Sequence, residues 1–312
     1  AAAIAGATGL PPARVFITAT HTHSGPDLTF LFGGVPLSYF RQVCDGVTDA
    51  ALCAWAARAP ARMYAGTARH RLGIPRRVKR GQREWDDELV ALQWRREGET
   101  VATLANLACH GVVLPRISKL LSGDLPSALC RAADAEFGGV TLFMPRDQGD
   151  VNPDIPSEDP YYQDGGPEDL ERLAASGLDS LGEAVNASAP ARALPVRVRG
   201  KRFSTRIRKA AMHMMNGPWW TGRAAWPGRA EMEMKEFSIG EVRGAALPGE
   251  VLTCLGKEIM ERLGGGPTLL FSYTGGYHGY LMTPETYGRG GYEASVSPGP
   301  VDPSKLFTGS RE

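Results

Sequence analysis

Short apolar segments of β-forming residues alternate along this chain with longer segments that have helical periodicity. The apolar segments include RVFITAT (14–20), ELVALQWRR (88–96) and VTLFMP (140–145), and helical spacing of apolar residues marks 38–59 and 167–188. Such an alternation is typical of α/β proteins. The sequence therefore predicts an α/β fold with a mixed β-sheet flanked by helices, formed by all 312 residues as a single domain.

The composition argues against several classes of function. The net charge is only +1, which gives no reason to expect nucleic-acid binding, and no apolar run approaches the ~20 residues of a transmembrane helix. The five cysteines form no CxxC pair, which argues against a disulfide framework and against a thiolate zinc site. Reduced cysteines favour a cytoplasmic protein. The chain opens within a predicted helix and without Met, so we also expect upstream residues, in which an export signal can lie.

Three of the six histidines follow apolar segments directly. His21 and His23 form H-T-H after the first segment, where a period of two turns both rings to one face, and His110 ends ANLACH. Strand ends are where α/β proteins place their sites, and converging neutral imidazoles bind zinc. Hydrogen-bonded loop histidines and a satisfied core histidine explain each signal equally well on its own.

A carboxylate and a tyrosine-rich segment supply two further signals. Glu250 follows an apolar strand and a Pro-Gly turn, although a glutamate there also suits the start of the helix predicted over 251–263. The segment YTGGYHGYLMTPETYGRGGYE (273–293) contains five tyrosines. A glycine-rich aromatic loop used for packing is the alternative for this segment.

Taken together, these motifs resemble the neutral/alkaline, non-lysosomal ceramidases and their bacterial relatives. THTHSGP, ANLACHG, SGDLP, QGDVNP and LPGE occur in that family's order, over about residues 5–300. The tyrosine segment repeats the family's spacing at Tyr277, Tyr280, Thr283, Glu285, Tyr287, Tyr292 and Glu293. The resemblance implies one Zn²⁺ per chain, bound by His21, His110, Glu250 and Tyr280.

The resemblance also implies roles for residues around that ion. His23 is expected to transfer a proton, and Arg76 and Tyr292 to stabilise the oxyanion, with Arg77 as the fallback for the arginine in GIPRRVK. Asp150 is expected to orient a ligand histidine. The function implied is a zinc-dependent amidohydrolase, in which zinc-activated water cleaves the C–N bond of a small or N-acylated substrate.

The chain departs from the family at one active-site position. Asn152 in GDVNPD stands where ceramidases have a serine, which argues against an acyl-serine intermediate and leaves the amide as an oxyanion donor. Two alternatives stay open at the same site. One is lactone or ester hydrolysis, or acyl cyclisation in a biosynthetic pathway, and the other is a non-catalytic ligand-binding relative.

Two regions outside the motifs bear on the substrate. Residues 209–235 combine Met and Trp with Gly and Pro, and we interpret them as a lid or insertion. The chain ends soon after the tyrosine segment, so the immunoglobulin-like C-terminal domain of ceramidases is expected to be absent, and a small-molecule or acyl-amide substrate is expected. The sequence leaves open whether the chain forms an oligomer.

Overall fold

Two β-sheets lie face to face at the centre of the protein, and helices cover the outer surface of each. The computed structural model describes residues 1–29, 34–115, 117–156, 164–206 and 229–307. The helices in these ranges are α1 (Ala2–Thr8), α2 (Leu37–Ala56), α3 (Asp124–Phe137), α4 (Pro167–Asn186), α5 (Thr253–Leu263), α6 (Pro284–Gly288), α7 (Tyr292–Ser295) and α8 (Pro303–Phe307). The strands are β1 (Arg62–Arg69), β2 (Gly73–Pro75), β3 (Glu88–Arg96), β4 (Glu99–Leu107), β5 (Val140–Pro145), β6 (Val151–Pro153), β7 (Ala189–Ala191), β8 (Val196–Arg206), β9 (Arg229–Ile239), β10 (Val242–Ala246), β11 (Glu250–Val251), β12 (Thr268–Phe271) and β13 (Tyr280–Leu281).

The first sheet has the strand order β5-β4-β3-β1-β7. β3 and β4 form a hairpin whose turn residues, Glu97 and Gly98, both have positive φ, as a tight two-residue hairpin turn requires. β4 and β5 are parallel, and α3 makes the crossover between them. The mixed pairing confirms the predicted α/β class.

The second sheet has the strand order β12-β10-β9-β8. β8 and β9 form an antiparallel ladder from Val196↔Ile239 to Arg206↔Arg229. β10 and β12 are parallel and are joined through α5. Both sheets therefore contain one parallel pair that is connected by a helix, which is why helices lie on their outer surfaces.

Alternating side chains of β3 show how the layers pack. Val90 and Leu92 are fully buried against Phe237 of the second sheet, whereas Leu89 and Ala91 face α3 and α4 on the other side. α5 and α8 cover the outer face of the second sheet in the same way. Each buried leucine or valine contributes about 1.5–3 kcal/mol relative to an exposed one, so these layers fix the sheet positions.

Two predictions about segments need correction. RVFITAT is not a regular strand, because it pairs only through an isolated bridge between Thr18 and Thr274, and Ile17 is 39% exposed. The last part of the predicted lid over 209–235 belongs to β9, since Ala230, Met232 and Met234 alternate into the core. The rest of that predicted lid, through residue 228, lies outside the described residues.

Two short ladders carry residues that the sequence singles out. β2 pairs antiparallel with β6, which sets Ile74 opposite Asn152, and β11 pairs parallel with β13, which sets Glu250 opposite Tyr280. In the described residues, the helices are all too short or too polar to cross a bilayer. All five cysteines are free thiols.

Candidate metal centre

His21 and His23 lie in a loop held at both sides by neighbouring segments. The Thr22 hydroxyl donates a hydrogen bond to the Ser122 carbonyl at 2.8 Å, and the His23 amide donates to the Gly111 carbonyl. His21 has a φ of 62°, a left-handed conformation that costs an L-residue with a side chain about 1–2 kcal/mol. Its ring stacks on Tyr273, with 4.3 Å between the ring centroids. This arrangement brings the Nε2 atoms of the two histidines to 3.0 Å.

His110 enters the same space from the end of β4. Its backbone amide and its Nδ1 both face the carbonyl of Val151 at 3.1 Å, so the position and the tilt of the ring are fixed from one side. Its Nε2 lies 3.2 Å from Oε2 of Glu250. The ring is 1% exposed, and burial lowers the pKa of His110. The imidazole is therefore neutral at neutral pH.

Glu250 is the centre of the cluster. Its Oε2 lies 3.5 Å from Nε2 of His21, and its Oε1 accepts a hydrogen bond from the Tyr277 hydroxyl at 2.5 Å. Tyr273 donates a longer bond of 3.4 Å to Oε2. Burial alone would raise the pKa of Glu250, but the facing His21 and His110 outweigh it and hold the pKa well below its usual range. The carboxylate is therefore ionised.

The donor atoms of this cluster suit a bound cation. Nδ1 of His110 faces the Val151 carbonyl and Nε2 faces the Glu250 carboxylate, and both of these oxygens are hydrogen-bond acceptors. A neutral imidazole has one proton for the two acceptors, so a cation between Nε2 and the carboxylate would satisfy the other contact. Ligand atoms of His21, His23 and His110 all lie within 4.8 Å of one another. Imidazole nitrogens with a carboxylate are the donor set of a catalytic zinc site, and the residues present fit such an ion.

Tyr280 and Arg76 lie next to Glu250 and contact each other. As the register partner of Glu250, Tyr280 lies beside it on the parallel ladder, and its hydroxyl accepts a hydrogen bond from Nη2 of Arg76 at 2.9 Å. Arg76 follows β2 and also donates to the Gly149 carbonyl at 2.7 Å and to Oδ1 of Asn152 at 3.3 Å. The structure thus brings three predicted residues, Tyr280, Arg76 and Asn152, to one point.

Glu293 holds both arginines of the GIPRRVK segment. Its carboxylate is fully buried, with Oε1 2.9 Å from Nε of Arg76 and Oε2 in contact with Nη1 of Arg77. Arg77 turns away and donates to the Gly290 carbonyl. Arg76, and not the fallback Arg77, is therefore the arginine that contacts Tyr280. Tyr292 packs edge-on against the Tyr280 ring, with 5.8 Å between centroids, and is 55% exposed.

His23 is the most accessible member of the cluster. It is exposed at one edge, in contrast to His21 and His110. Desolvation of the ring and the neighbouring His21 and His110 lower the pKa of His23 to about 3. At neutral pH this imidazole is therefore neutral.

Several contacts in the site lay beyond sequence reasoning. Asp150 does not orient a histidine as predicted, because its Oδ1 accepts hydrogen bonds from the amide and hydroxyl of Thr253, and the Val151 carbonyl takes that role. Tyr277 and Glu293 were visible in the tyrosine spacing, but spacing does not show which side chains face the site. Tyr273 gave no separate signal.

A groove of about 1140 Å³ opens at the cluster. Its inner end is formed by His21, Tyr273 and Tyr277. One wall is apolar, and the other is the charged face of β8 and β9. The apolar wall consists of Val15, Ile17, Leu28, Phe40, Val43 and Val47, and the charged face of Arg202, Glu231, Glu233 and Lys235.

Comparison with solved structures shows what the fold resembles. The crystal structure of neutral ceramidase from Pseudomonas aeruginosa matches with a TM-score of 0.74 and 15% identity, over 95% of this chain and 60% of that chain. A ceramidase complexed with C2 matches with a TM-score of 0.73 and 15% identity, over 95% of this chain and 62% of that one. No protein-family model and no curated protein matches. The chain thus has a ceramidase-like fold and spans about 60% of the length of these proteins.

Proposed function

We propose that this chain is a zinc-dependent hydrolase that cleaves the amide bond of a small or N-acylated substrate. The observation that carries the proposal is the approach of His110 Nε2 to Glu250 Oε2, at 3.2 Å, beside two further imidazoles. The two solved structures described above are ceramidases, which supports amide hydrolysis as the reaction class.

The ion would be held by His21, His110, Glu250 and Tyr280. A zinc ion there would supply the Lewis acidity that activates water near neutral pH. Arg76 donates a hydrogen bond to the Tyr280 hydroxyl, but burial and the Glu250 carboxylate outweigh it and raise the pKa of Tyr280 well above its usual range. His23 stays outside this set as the residue that carries protons.

The chain's own residues divide the remaining tasks. We assign to His23, which is neutral and exposed, the transfer of a proton from the attacking water to the leaving nitrogen. Arg76 is held by Glu293 and Gly149, so its guanidinium is fixed before a substrate arrives and stabilises negative charge on the carbonyl oxygen. Tyr292 is placed beside Tyr280 to donate to the same oxygen.

Asn152 restricts the mechanism. Its Oδ1 accepts a hydrogen bond from Nη1 of Arg76, which holds the carboxamide beside the guanidinium. A carboxamide is not a nucleophile, so no acyl intermediate forms at this position. We therefore infer direct attack by water rather than a two-step reaction through the side chain.

The first test is metal content. Elemental analysis of protein purified without chelator should find one zinc per chain, and His110→Ala should lose it because one of four ligands is removed. His278→Ala is the matched control, since His278 lies on the same groove outside the cluster and should retain zinc. Zinc retained by His110→Ala would show that the ligand set is wrong.

The second test separates the roles of the H-T-H histidines. His23→Ala should keep zinc and lose most of its turnover of N-acyl amides, typically by 10²–10⁴-fold for a general acid–base residue. Loss of zinc instead would make His23 a ligand. The assay measures release of free amine from a panel of N-acyl amides, with esters and lactones run in parallel.

Ligand binding without turnover is the second candidate function. Asn152 favours it, because ceramidases have a serine at the corresponding position. Zinc content of one per chain together with tight, unhydrolysed binding of every amide, ester and lactone in the panel would favour this candidate over hydrolysis.

A further inference from the structure

A second cavity lies behind the candidate metal centre, between the loop after β2 and the start of α5. Its volume is about 240 Å³. Since a water molecule occupies about 30 Å³, the cavity has room for an oxyanion of several non-hydrogen atoms. None of the residues assigned above to hold a metal lines it.

The lining of this cavity is strongly cationic. Five basic side chains face it, against two carboxylates. The basic residues are Arg77, Arg80, Arg83, Lys257 and Arg289, and the acidic ones are Glu84 and Asp150. Two of the basic residues, Arg80 and Arg83, are exposed to solvent.

The two carboxylates compensate only part of this charge. Glu84 is paired with Lys257 at 2.6 Å, and the Oδ1 of Asp150 accepts hydrogen bonds from Thr253. Burial raises the pKa of Asp150. Arg77 and Arg289 have their own partners in Glu293 and Glu285.

Arg80 and Arg83 have no such compensation. Within the described ranges neither forms an ion pair, and Arg80 reaches only the Arg289 carbonyl, at 3.5 Å. Guanidinium groups present paired N–H donors that match the oxygens of phosphate. The first turn of α5 adds Thr253 and Cys254 to the wall, so the positive end of an 11-residue helix points the same way.

We propose that this cavity, the rear cationic pocket, binds a phosphate group. The convergence on one cavity of Arg80 and Arg83, which form no ion pair in the described residues, carries the assignment, and it goes beyond the proposed hydrolase function. The ligand is a soluble phosphate compound or the headgroup of a phospholipid, because both present the same oxyanion to these donors.

Calorimetric titration with inorganic phosphate and pyrophosphate tests the pocket on protein treated with chelator. The ionic strength is held constant, so that a change in electrostatic screening cannot mimic binding. The absence of zinc makes the result independent of the hydrolase proposal. The parent should bind one equivalent, and Arg80→Ala/Arg83→Ala should weaken binding by at least about tenfold, since charge-assisted hydrogen bonds are lost. The matched control is Arg192→Ala/Arg197→Ala, which removes two exposed arginines of the second sheet region and should bind like the parent.

A variant that binds phosphate more tightly than the parent cannot be explained by misfolding. Glu84→Gln removes a lining carboxylate and releases Lys257, so phosphate should bind severalfold more tightly than in the parent. Co-sedimentation with phosphatidylcholine vesicles, with and without phosphatidic acid, tests the headgroup source by the same variants. Absence of binding to both soluble probes and to phosphatidic acid vesicles, or binding unchanged in Arg80→Ala/Arg83→Ala, would overturn the proposal.

Discussion

The candidate metal centre is assembled from two halves of different construction. His110, Glu250 and Tyr280 form the strand half: they are at most 5% exposed and lie at the ends of β4, β11 and β13. His21 and His23 form the loop half, in which one residue has a positive φ and the other is exposed. A backbone ladder places Glu250 and Tyr280, and a backbone hydrogen bond to Val151 places His110. The loop half has one backbone hydrogen bond, from the His23 amide to the Gly111 carbonyl, besides its side-chain contacts.

The two halves therefore differ in how firmly their side chains are positioned. Ladder hydrogen bonds cannot shift without moving a sheet, so the strand half is preorganised whether or not an ion is bound. The loop half is held by the Thr22 hydroxyl, the Tyr273 ring and a strained backbone. We expect a bound ion to be the main link between the halves, and the following changes test that view from the largest expected effect to the smallest.

Glu293→Gln should damage the strand half most. The substitution leaves Arg76 and Arg77, both nearly fully buried, without their shared carboxylate. Removing one partner of a buried ion pair costs about 3–5 kcal/mol, because a charge stays buried and uncompensated. Urea unfolding measures the loss. Glu285→Gln, which breaks the exposed pair with Arg289, is the control and should change stability by no more than about 0.5 kcal/mol.

Tyr277→Phe should weaken zinc binding without unfolding the protein. The variant removes the 2.5 Å hydrogen bond to Oε1 of Glu250 and leaves the ring in place. Loss of a hydrogen bond to a metal ligand typically costs 10–100-fold in metal affinity. Competition with a chromophoric chelator measures the zinc Kd. Tyr64→Phe on β1 is the control and should leave the zinc Kd unchanged. If Tyr277→Phe also had the parent's Kd, Tyr277 would not contribute to zinc binding.

Removal of the metal should loosen one half only. Hydrogen exchange at the amides of residues 21–24 should accelerate by about tenfold or more on chelation, because local opening of a loop held by few contacts then becomes easier. Amides of 104–110 should change little, since they belong to or directly follow a central strand. Equal acceleration in both segments would contradict the division into a rigid half and a metal-linked half.

The same division explains what the sequence could predict. Apolar segments on both sides of an EGE turn predicted the β3–β4 hairpin, and helical patterns with their caps predicted α3 and α4, because these features are local in the sequence. The strand predicted for RVFITAT was wrong, because this segment has a strand-like composition but pairs only through one isolated bridge, between Thr18 and Thr274. For the site, His21, His110 and Glu250 stood out at the ends of apolar segments. The pairing of Glu250 with Tyr280 across 30 positions is a tertiary contact that no local pattern contains.

Thr22→Val offers the finest test of the loop half. Valine keeps the shape of the side chain and removes only the hydroxyl that donates to the Ser122 carbonyl, so global stability should fall by about 1 kcal/mol or less. Zinc should dissociate several times faster, because His21 and His23 lose the contact that holds the residue between them. Thr29→Val, which removes an exposed hydrogen bond to Asp27 in the same region, should leave the dissociation rate unchanged. If Thr22→Val lowered stability but left zinc dissociation unaltered, the loop would be positioned by Tyr273 and its own backbone, and the strained His21 would itself be the fixed element.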